Sequence, residues 1–294
     1  MTHEELAWGG VGGQRLHAQE WRPEATSRAV VCLVHGLGEH AGRYAHVAQV
    51  LAEAGCALLA FDLRGHGRTP GPRGHAPSYD VIMGDIGVLL DQAKQRFPGA
   101  ARFLYGHSMG GSLVLNYGLR RWPSVAGVVA TSPGLQPTQP IPRATLAFGR
   151  VMGRVWPSFR MSNGLDCTGL SRDADVVRCY RKDPLVHDRI SARLGLDLLE
   201  TGAWAIAHAG EFRLPLLLAH GTADSLTAIE DTRQFAAKVL GDCTLREWPG
   251  LYHETHNEPE WREVLAFTIA WMGERVGSPR VSAPQRGCRA GDPA

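Results

Sequence analysis

Unbroken apolar runs alternate with residues at helical spacing, and this alternation constrains the chain most. The runs lie at Ala29–Val34, Ala57–Phe61, Val125–Ala130 and Leu214–Ala219, with a shorter segment at Arg102–Tyr105 and a weaker one at Thr244–Trp248. Between them Tyr44, Val47, Ala48 and Leu51 recur at helical spacing up to Gly55, and helical patterns cover about Tyr79–Phe97, Ile229–Leu240 and Trp261–Met272. Strands that are apolar on both faces belong to a mostly parallel sheet with helices packed on each side. Residues 6–21 carry two extended segments around the Gly9–Gly13 turn, which reads as a hairpin. In such a sheet, functional side chains collect in the loops beyond the carboxyl ends of the strands. The loops holding His35, Ser108 and Asp224 all occupy that position.

The alternation breaks between about Leu135 and Glu211. Pro137, Pro140 and Pro142 punctuate the entry, and a helix-rich stretch without clear strands follows. This divides the chain into a core (residues 1–134), an inserted helical cap (135–211), the rest of the core (212–276) and an aperiodic tail (277–294) expected to be disordered. Composition sets few further limits. A length of 294 residues, 44% hydrophobic, fits one large α/β domain or two small ones with a real core, and a net charge of +2 gives no strong pull toward nucleic acid. No apolar run approaches the ~20 residues of a membrane span. The polar start Met1–Glu5 is unlike a secretory signal, and six cysteines lie scattered without a C-x-x-C pair. Both features point to a reducing, cytoplasmic location, with the cysteines as free thiols.

Gly106-His107-Ser108-Met109-Gly110 follows the Arg102–Tyr105 segment and opens a helical pattern that stops at Pro123. Strand, G-x-S-x-G, helix is the layout of a nucleophile elbow, in which the serine hydroxyl stands at the tip of a strained turn. A serine needs a histidine to take its proton and a carboxylate to orient that histidine, in the chain order Ser, Asp or Glu, His. His220-Gly221-Thr222-Ala223-Asp224 follows an apolar strand, and Gly250-Leu251-Tyr252-His253 follows the last one. Asp224 and His253 therefore complete a triad with Ser108. Taken singly, Asp224 reads as a helix cap and His253 as a surface loop, but their order and placement favour the triad. An oxyanion hole needs two backbone N–H donors. Met109 supplies one, and Leu37 in His35-Gly36-Leu37-Gly38 the other, its flanking glycines allowing the N–H to face the site. His253-Glu254-Thr255-His256 lacks the four-residue spacing of a zinc helix, so no metal and no cofactor is called for.

These motifs, together with Glu39-His40, Arg43-Tyr44, Asp62-x-Arg64-Gly65-His66-Gly67, Ser171-Arg172-Asp173, Tyr180 and Asp183-Pro184-Leu185, resemble the monoacylglycerol lipase and lysophospholipase-like family of serine α/β-hydrolases. The likeness spans about Ala29 to Met272. It implies an α/β-hydrolase fold, a mostly parallel eight-stranded sheet with helices on both faces and a helical cap. It also implies hydrolysis of one acyl chain from glycerol through an acyl-enzyme, a small-molecule ester being the partner. Lysophospholipase or general carboxylesterase activity is the alternative, and a non-catalytic binding protein is disfavoured by the intact triad. The resemblance assigns the same triad and oxyanion donors, and it carries a polar substrate-binding cluster onto Glu39, Arg43 and His256. A structural ion pair is an equal reading of Glu39 and Arg43. Leu37 departs from the alanine of the mammalian members.

Within the cap, Ala144, Phe148, Val151, Met152 and Val155 share one face of a helix over Arg143–Phe159, and Arg143, Arg150 and Arg154 share another. The favoured expectation is an apolar face packed on the core and a solvated basic face. The sharper one is transient contact of this helix with an anionic membrane surface.

Overall fold

The structure is a computed structural model that describes residues 1–138 and 141–277. Residues 278–294, where the expected tail falls, lie outside the described residues, as do Pro140 and Cys288. An eight-stranded sheet organises the chain. Its strands are β1 (Thr2–Gly9), β2 (Arg15–Arg22), β3 (Ala29–Val34), β4 (Cys56–Phe61), β5 (Ala101–His107), β6 (Gly127–Thr131), β9 (Leu216–Gly221) and β10 (Cys243–Trp248), in the spatial order β1-β2-β4-β3-β5-β6-β9-β10. The hairpin β1–β2 runs antiparallel, and β2 pairs antiparallel with β4. From β4 to β10 every pairing is parallel.

Alternation along a strand sends neighbouring side chains to opposite faces. In β3, Val30, Cys32 and Val34 enter one core with Ile86 and Leu89 from α2 (Tyr79–Arg96) and Leu113 from α3 (Met109–Arg121). Ala29, Val31 and Leu33 enter the other with Val47 and Leu51 from α1 (Ala45–Glu53) and Trp271 from α8 (Trp261–Gly273). Both faces of β3 are therefore buried, which is why its sequence reads as an unbroken apolar run. Ser78 caps α2 by accepting from the Val81 amide at 3.3 Å.

Between β6 and β9 lie α4 (Arg143–Val155), β7 (Arg160–Ser162), α5 (Ala174–Lys182), β8 (Arg189–Ser191) and α6 (Ala192–His208), and α7 (Ile229–Lys238) follows β9. The expectation of a stretch without strands is corrected here, because β7 and β8 form a two-stranded antiparallel sheet. Three residues per strand are too few to print a period-two signal. Helix α6 packs on both α3 and α4, so this segment stands over the core through contacts of α6.

The strand order reverses between β3 and β5. The chain steps from β3 to β4 on one side, then returns to place β5 on the other. Loops leaving such a switch point diverge and open a crevice at the carboxyl edge of the sheet. The loops after β3 and β5 carry Leu37 and Ser108.

Candidate active site

Ser108 stands between β5 and α3 with φ 54° and ψ −119°. A non-glycine residue with positive φ is strained, and such strain persists where the surroundings fix it. Here the surroundings are very tight. A Cβ at Gly106 would lie 2.2 Å from the Gly110 carbonyl oxygen, and one at Gly110 would lie 2.0 Å from that of Val34. Only glycine fits at either position, so the elbow's flanking residues follow from the closeness of β3, β5 and α3.

The three residues of the expected triad come together. The Nδ1–H of His253 donates to Asp224 Oδ2 at 2.7 Å, which leaves Nε2 to accept the Ser108 hydroxyl at 2.8 Å. Asp224 is itself held on every side. Its Oδ1 accepts from the Leu226 and Thr227 amides at 2.7 and 3.1 Å, and its Oδ2 from the Thr227 hydroxyl at 2.8 Å. His220 Nε2 lies 3.1 Å from the same oxygen, while its Nδ1 meets the Thr232 hydroxyl at 2.8 Å. The Ser132 hydroxyl fixes the other side of His253 by donating to its carbonyl at 2.7 Å.

Electrostatics follow from this packing. Burial opposes a charge on His253, but the attraction and hydrogen bond of Asp224 outweigh it and hold the imidazole pKa above its ordinary value. Burial would likewise raise the Asp224 carboxyl, yet His253 and His220 keep it far below the usual carboxylate range. Asp224 thus stays a carboxylate beside the imidazole and stabilises the imidazolium when it forms.

Leu37 and Met109 occupy the loops that face one another across the switch point. Met109 begins α3, so its N–H has no intrahelical partner and lies at the positive end of the helix dipole. The Leu37 loop is fixed by Glu39, whose Oε1 accepts from the Gly36 amide at 2.6 Å and the Tyr44 hydroxyl at 2.8 Å. Glu39 Oε2 accepts from Arg43 Nη1 at 2.6 Å, and the same guanidinium grips Glu254 with bonds of 2.6 and 2.7 Å. Glu39, Arg43 and Glu254 therefore form a buried ionic brace from the Gly36–Leu37 turn to the loop that carries His253. Burial disfavours the Glu254 charge, and Arg43 reverses this to hold its carboxyl below the ordinary range.

The three residues assigned to a polar substrate cluster do not all reach the cavity, although Arg43 is bonded to Glu39. Glu39 lines the cavity at Ser108, whereas Arg43 and His256 are not among its lining residues. His256 is fully buried, stacked on Tyr44 at 4.9 Å and edge-on to His107 at 4.7 Å. Neither of its ring nitrogens has a hydrogen-bond partner among the described residues, and burial brings its pKa down to about 4.

Two cavities meet at Ser108. One, of about 340 Å³, is bounded by Glu39, Tyr180, Arg181, Asp183 and His187. The other, of about 350 Å³, is bounded largely by apolar residues that include Met109, Leu146, Leu196, Leu199 and Leu226. Leu37 and Ser108 line both. The segment over the site is pinned to the core at Gly38 (φ 80°), whose carbonyl accepts from the His187 amide at 2.9 Å.

The expected packing of the α4 apolar face on the core is corrected. Phe148, Val151 and Val155 are 45, 58 and 77% exposed, and Trp156 just beyond them is 57% exposed. Only Gly153 of this helix is buried. Its glycine side meets α6 instead, since a Cβ at Gly153 would lie 2.9 Å from Leu196 Cδ1.

Sequence reasoning missed His220, Thr227, Ser132 and Glu254. His220 and Glu254 stood inside the quoted motifs, four residues before Asp224 and one after His253. Ser132, at φ 42°, carried no sequence signal, because its role depends on a loop brought close only by the fold.

Comparison with known proteins agrees with this architecture. Residues 25–260 match the model of the Hydrolase_4 family, described as serine aminopeptidase, S33. A monoacylglycerol lipase of Mycolicibacterium smegmatis is 36% identical over 273 residues, which span 92% of this chain and 97% of that protein. An uncharacterised abhydrolase domain-containing protein of Dictyostelium discoideum is 37% identical over 274 residues, 92% of this chain but only 29% of the longer protein. The crystal structure of Paleococcus ferrophilus monoacylglycerol lipase is similar with a TM-score of 0.80 and 38% identity, covering 88% of this chain and 99% of that one. The chain adopts the α/β-hydrolase fold and belongs to the Hydrolase_4 family.

Proposed function

We propose that the chain is a serine ester hydrolase that removes the acyl chain from monoacylglycerols, with Ser108 as nucleophile. The observation that carries the reading is the continuous line from Ser108 Oγ through both nitrogens of His253 to Asp224, at 2.8 and 2.7 Å. Ser108 attacks the ester carbonyl as His253 takes the hydroxyl proton, giving an oxyanion that the Leu37 and Met109 amides stabilise. Collapse breaks the C–O bond, and His253 returns the proton to the departing glycerol. Water then attacks the acyl-enzyme by the same route, releasing the fatty acid and Ser108. Each step conserves the triad without a metal or cofactor.

The two cavities divide the substrate. The apolar one suits the acyl chain, and the one with Glu39 and Tyr180 suits a polar alcohol. Glu39, Arg43 and His256 contribute unequally in this reading: Glu39 faces the alcohol, while Arg43 and His256 shape the wall behind it. Relatives named as monoacylglycerol lipases, similar over almost their whole length, support this choice of ester. Arg181 favours a second reading, hydrolysis of lysophospholipids, because it places a cation on the wall of the polar cavity, its Nε donating to Cys167 Sγ at 3.0 Å. Turnover of monoacylglycerol, lysophosphatidic acid and lysophosphatidylcholine of one chain length tests the order. A preference for either phospholipid over the glycerol ester would replace the first reading with the second.

The exposed Phe148, Val151, Val155 and Trp156, beside Arg143, Arg150 and Arg154, support transient contact of the α4 region with an anionic membrane surface. Among the described residues no helix is long and apolar enough to cross a membrane. Sedimentation with anionic vesicles tests the contact, and binding unchanged after replacement of the three arginines by glutamine would contradict it. The unpaired Cys32, Cys56, Cys167, Cys179 and Cys243 support a reducing, cytoplasmic setting.

A further inference from the structure

Two helix glycines stand on the wall of the apolar cavity without a backbone reason to be glycine. Gly149 lies in α4 and Gly195 in α6, and both line the cavity that opens at Ser108. Neither has positive φ. A Cβ at Gly149 would meet only Leu196 Cδ2, at 3.9 Å, and one at Gly195 would meet the Ile190 side chain at 3.5 Å. Both distances are ordinary van der Waals contact. The contrast with other glycines of the same helices is sharp. At Gly153 a Cβ would press on Leu196 at 2.9 Å, and at Gly202 it would fall 1.9 Å from the Leu135 carbonyl oxygen. Gly202 is required by the backbone it faces and Gly153 spares a shift of the Leu196 side chain, but Gly149 and Gly195 meet neither constraint.

Glycine inside a helix is destabilising relative to any ordinary helix former. What the chain gains at these two positions is space in the cavity. We infer that Gly149 and Gly195 set the acyl-chain length the enzyme accepts, by keeping the channel between α4 and α6 open for a long chain. This deepens the reading of the site as an acyl-ester hydrolase and rests on it. The chain enters past Leu37 and Met109 at the nucleophile and runs between the two helices, where Leu146, Leu196 and Leu199 cover it. A side chain added at Gly149 would occupy the space of the distal methylenes and leave those next to the ester unaffected.

The test compares kcat/KM for monobutanoylglycerol, monooctanoylglycerol and monohexadecanoylglycerol in wild type, Gly149→Leu and Gly195→Leu. Each methylene kept out of an apolar site lowers kcat/KM about fourfold, so a leucine displacing several of them lowers the hexadecanoyl-to-butanoyl ratio about 100-fold. Leucine is the better helix former, so the melting temperature is expected to hold or rise, which separates a filled channel from a damaged fold. Should one leucine variant melt earlier, Gly149→Ala and Gly149→Met supply a graded series at the same position, and the ratio must fall as the side chain lengthens. An unchanged ratio in folded variants, or a ratio independent of side-chain length, overturns the inference while leaving the hydrolase reading intact. Failure of the wild type to hydrolyse any of the three esters defeats the monoacylglycerol reading itself.

Discussion

Replacing Arg43 by methionine tests the brace between the Gly36–Leu37 turn and the His253 loop. The side chains of Arg43, Glu39 and Glu254 are 10, 3 and 2% exposed, so the three charges exchange little with solvent. Methionine keeps an apolar stem reaching about as far as Nε but removes every bond to the two carboxylates. Breaking a buried pair by deleting one partner costs about 3–5 kcal/mol, mostly because the remaining charge is left uncompensated. For a chain of this size that corresponds to a melting temperature lower by on the order of 10 °C. The sign of the pH dependence is distinctive. In wild type, Arg43 holds the Glu254 carboxyl below its unfolded value, so its stabilisation is present above that value and lost as pH falls through the lowered one. In the variant two buried carboxylates face each other, and the folded state takes up a proton more readily than the unfolded chain. Its stability therefore rises as pH falls, and the gap to wild type narrows from pH ~8 toward pH ~5. Urea unfolding across that range measures the gap. A loss below ~1 kcal/mol near neutral pH, or a loss constant with pH, would refute the brace. Adding Glu254→Gln should restore part of the stability, since it removes one of the two uncompensated charges.

Two further outcomes follow from the site. Asp224 holds the His253 pKa above its ordinary value, and protonation removes the base, so kcat/KM should fall on the acid side with a midpoint above ~6.5; a midpoint below that value would contradict the assigned pair. At His220, glutamine can still offer an N–H near the Nε2 position while leucine cannot, and a hydrogen bond to a charged group contributes ~1.5–3 kcal/mol. His220→Leu should therefore lower kcat roughly 10–100-fold with KM little changed, and His220→Gln much less, whereas equal losses in the two variants would assign His220 to packing alone.

The sheet was legible because parallel strands buried on both faces leave unbroken apolar runs, as in β3 and β9. The elbow and the residues meeting it were legible because each is a local motif at the end of such a strand. Other features depend on what the fold brings together. Glu39, Arg43 and Glu254 share one ionic cluster in which Arg43 and Glu254 meet across 211 positions of sequence, and no local pattern announces that meeting. In α4 the period revealed an apolar face but not what covers it, and the side that packs on α6 is the glycine side. The strands β7 and β8 were hidden by their brevity. His256 illustrates the same limit: the family resemblance assigned it to a polar substrate cluster, while the fold buries it against Tyr44 and His107.

The central claim is that one serine, strained at the tip of its turn and bonded to His253, carries the acyl group. Reaction with an alkyl fluorophosphonate, followed by peptide mass spectrometry, tests it most directly. The account predicts a single adduct on Ser108, absent in Ser108→Ala and formed far more slowly in His253→Gln. An adduct on another residue, or equal labelling of wild type and Ser108→Ala, would contradict it.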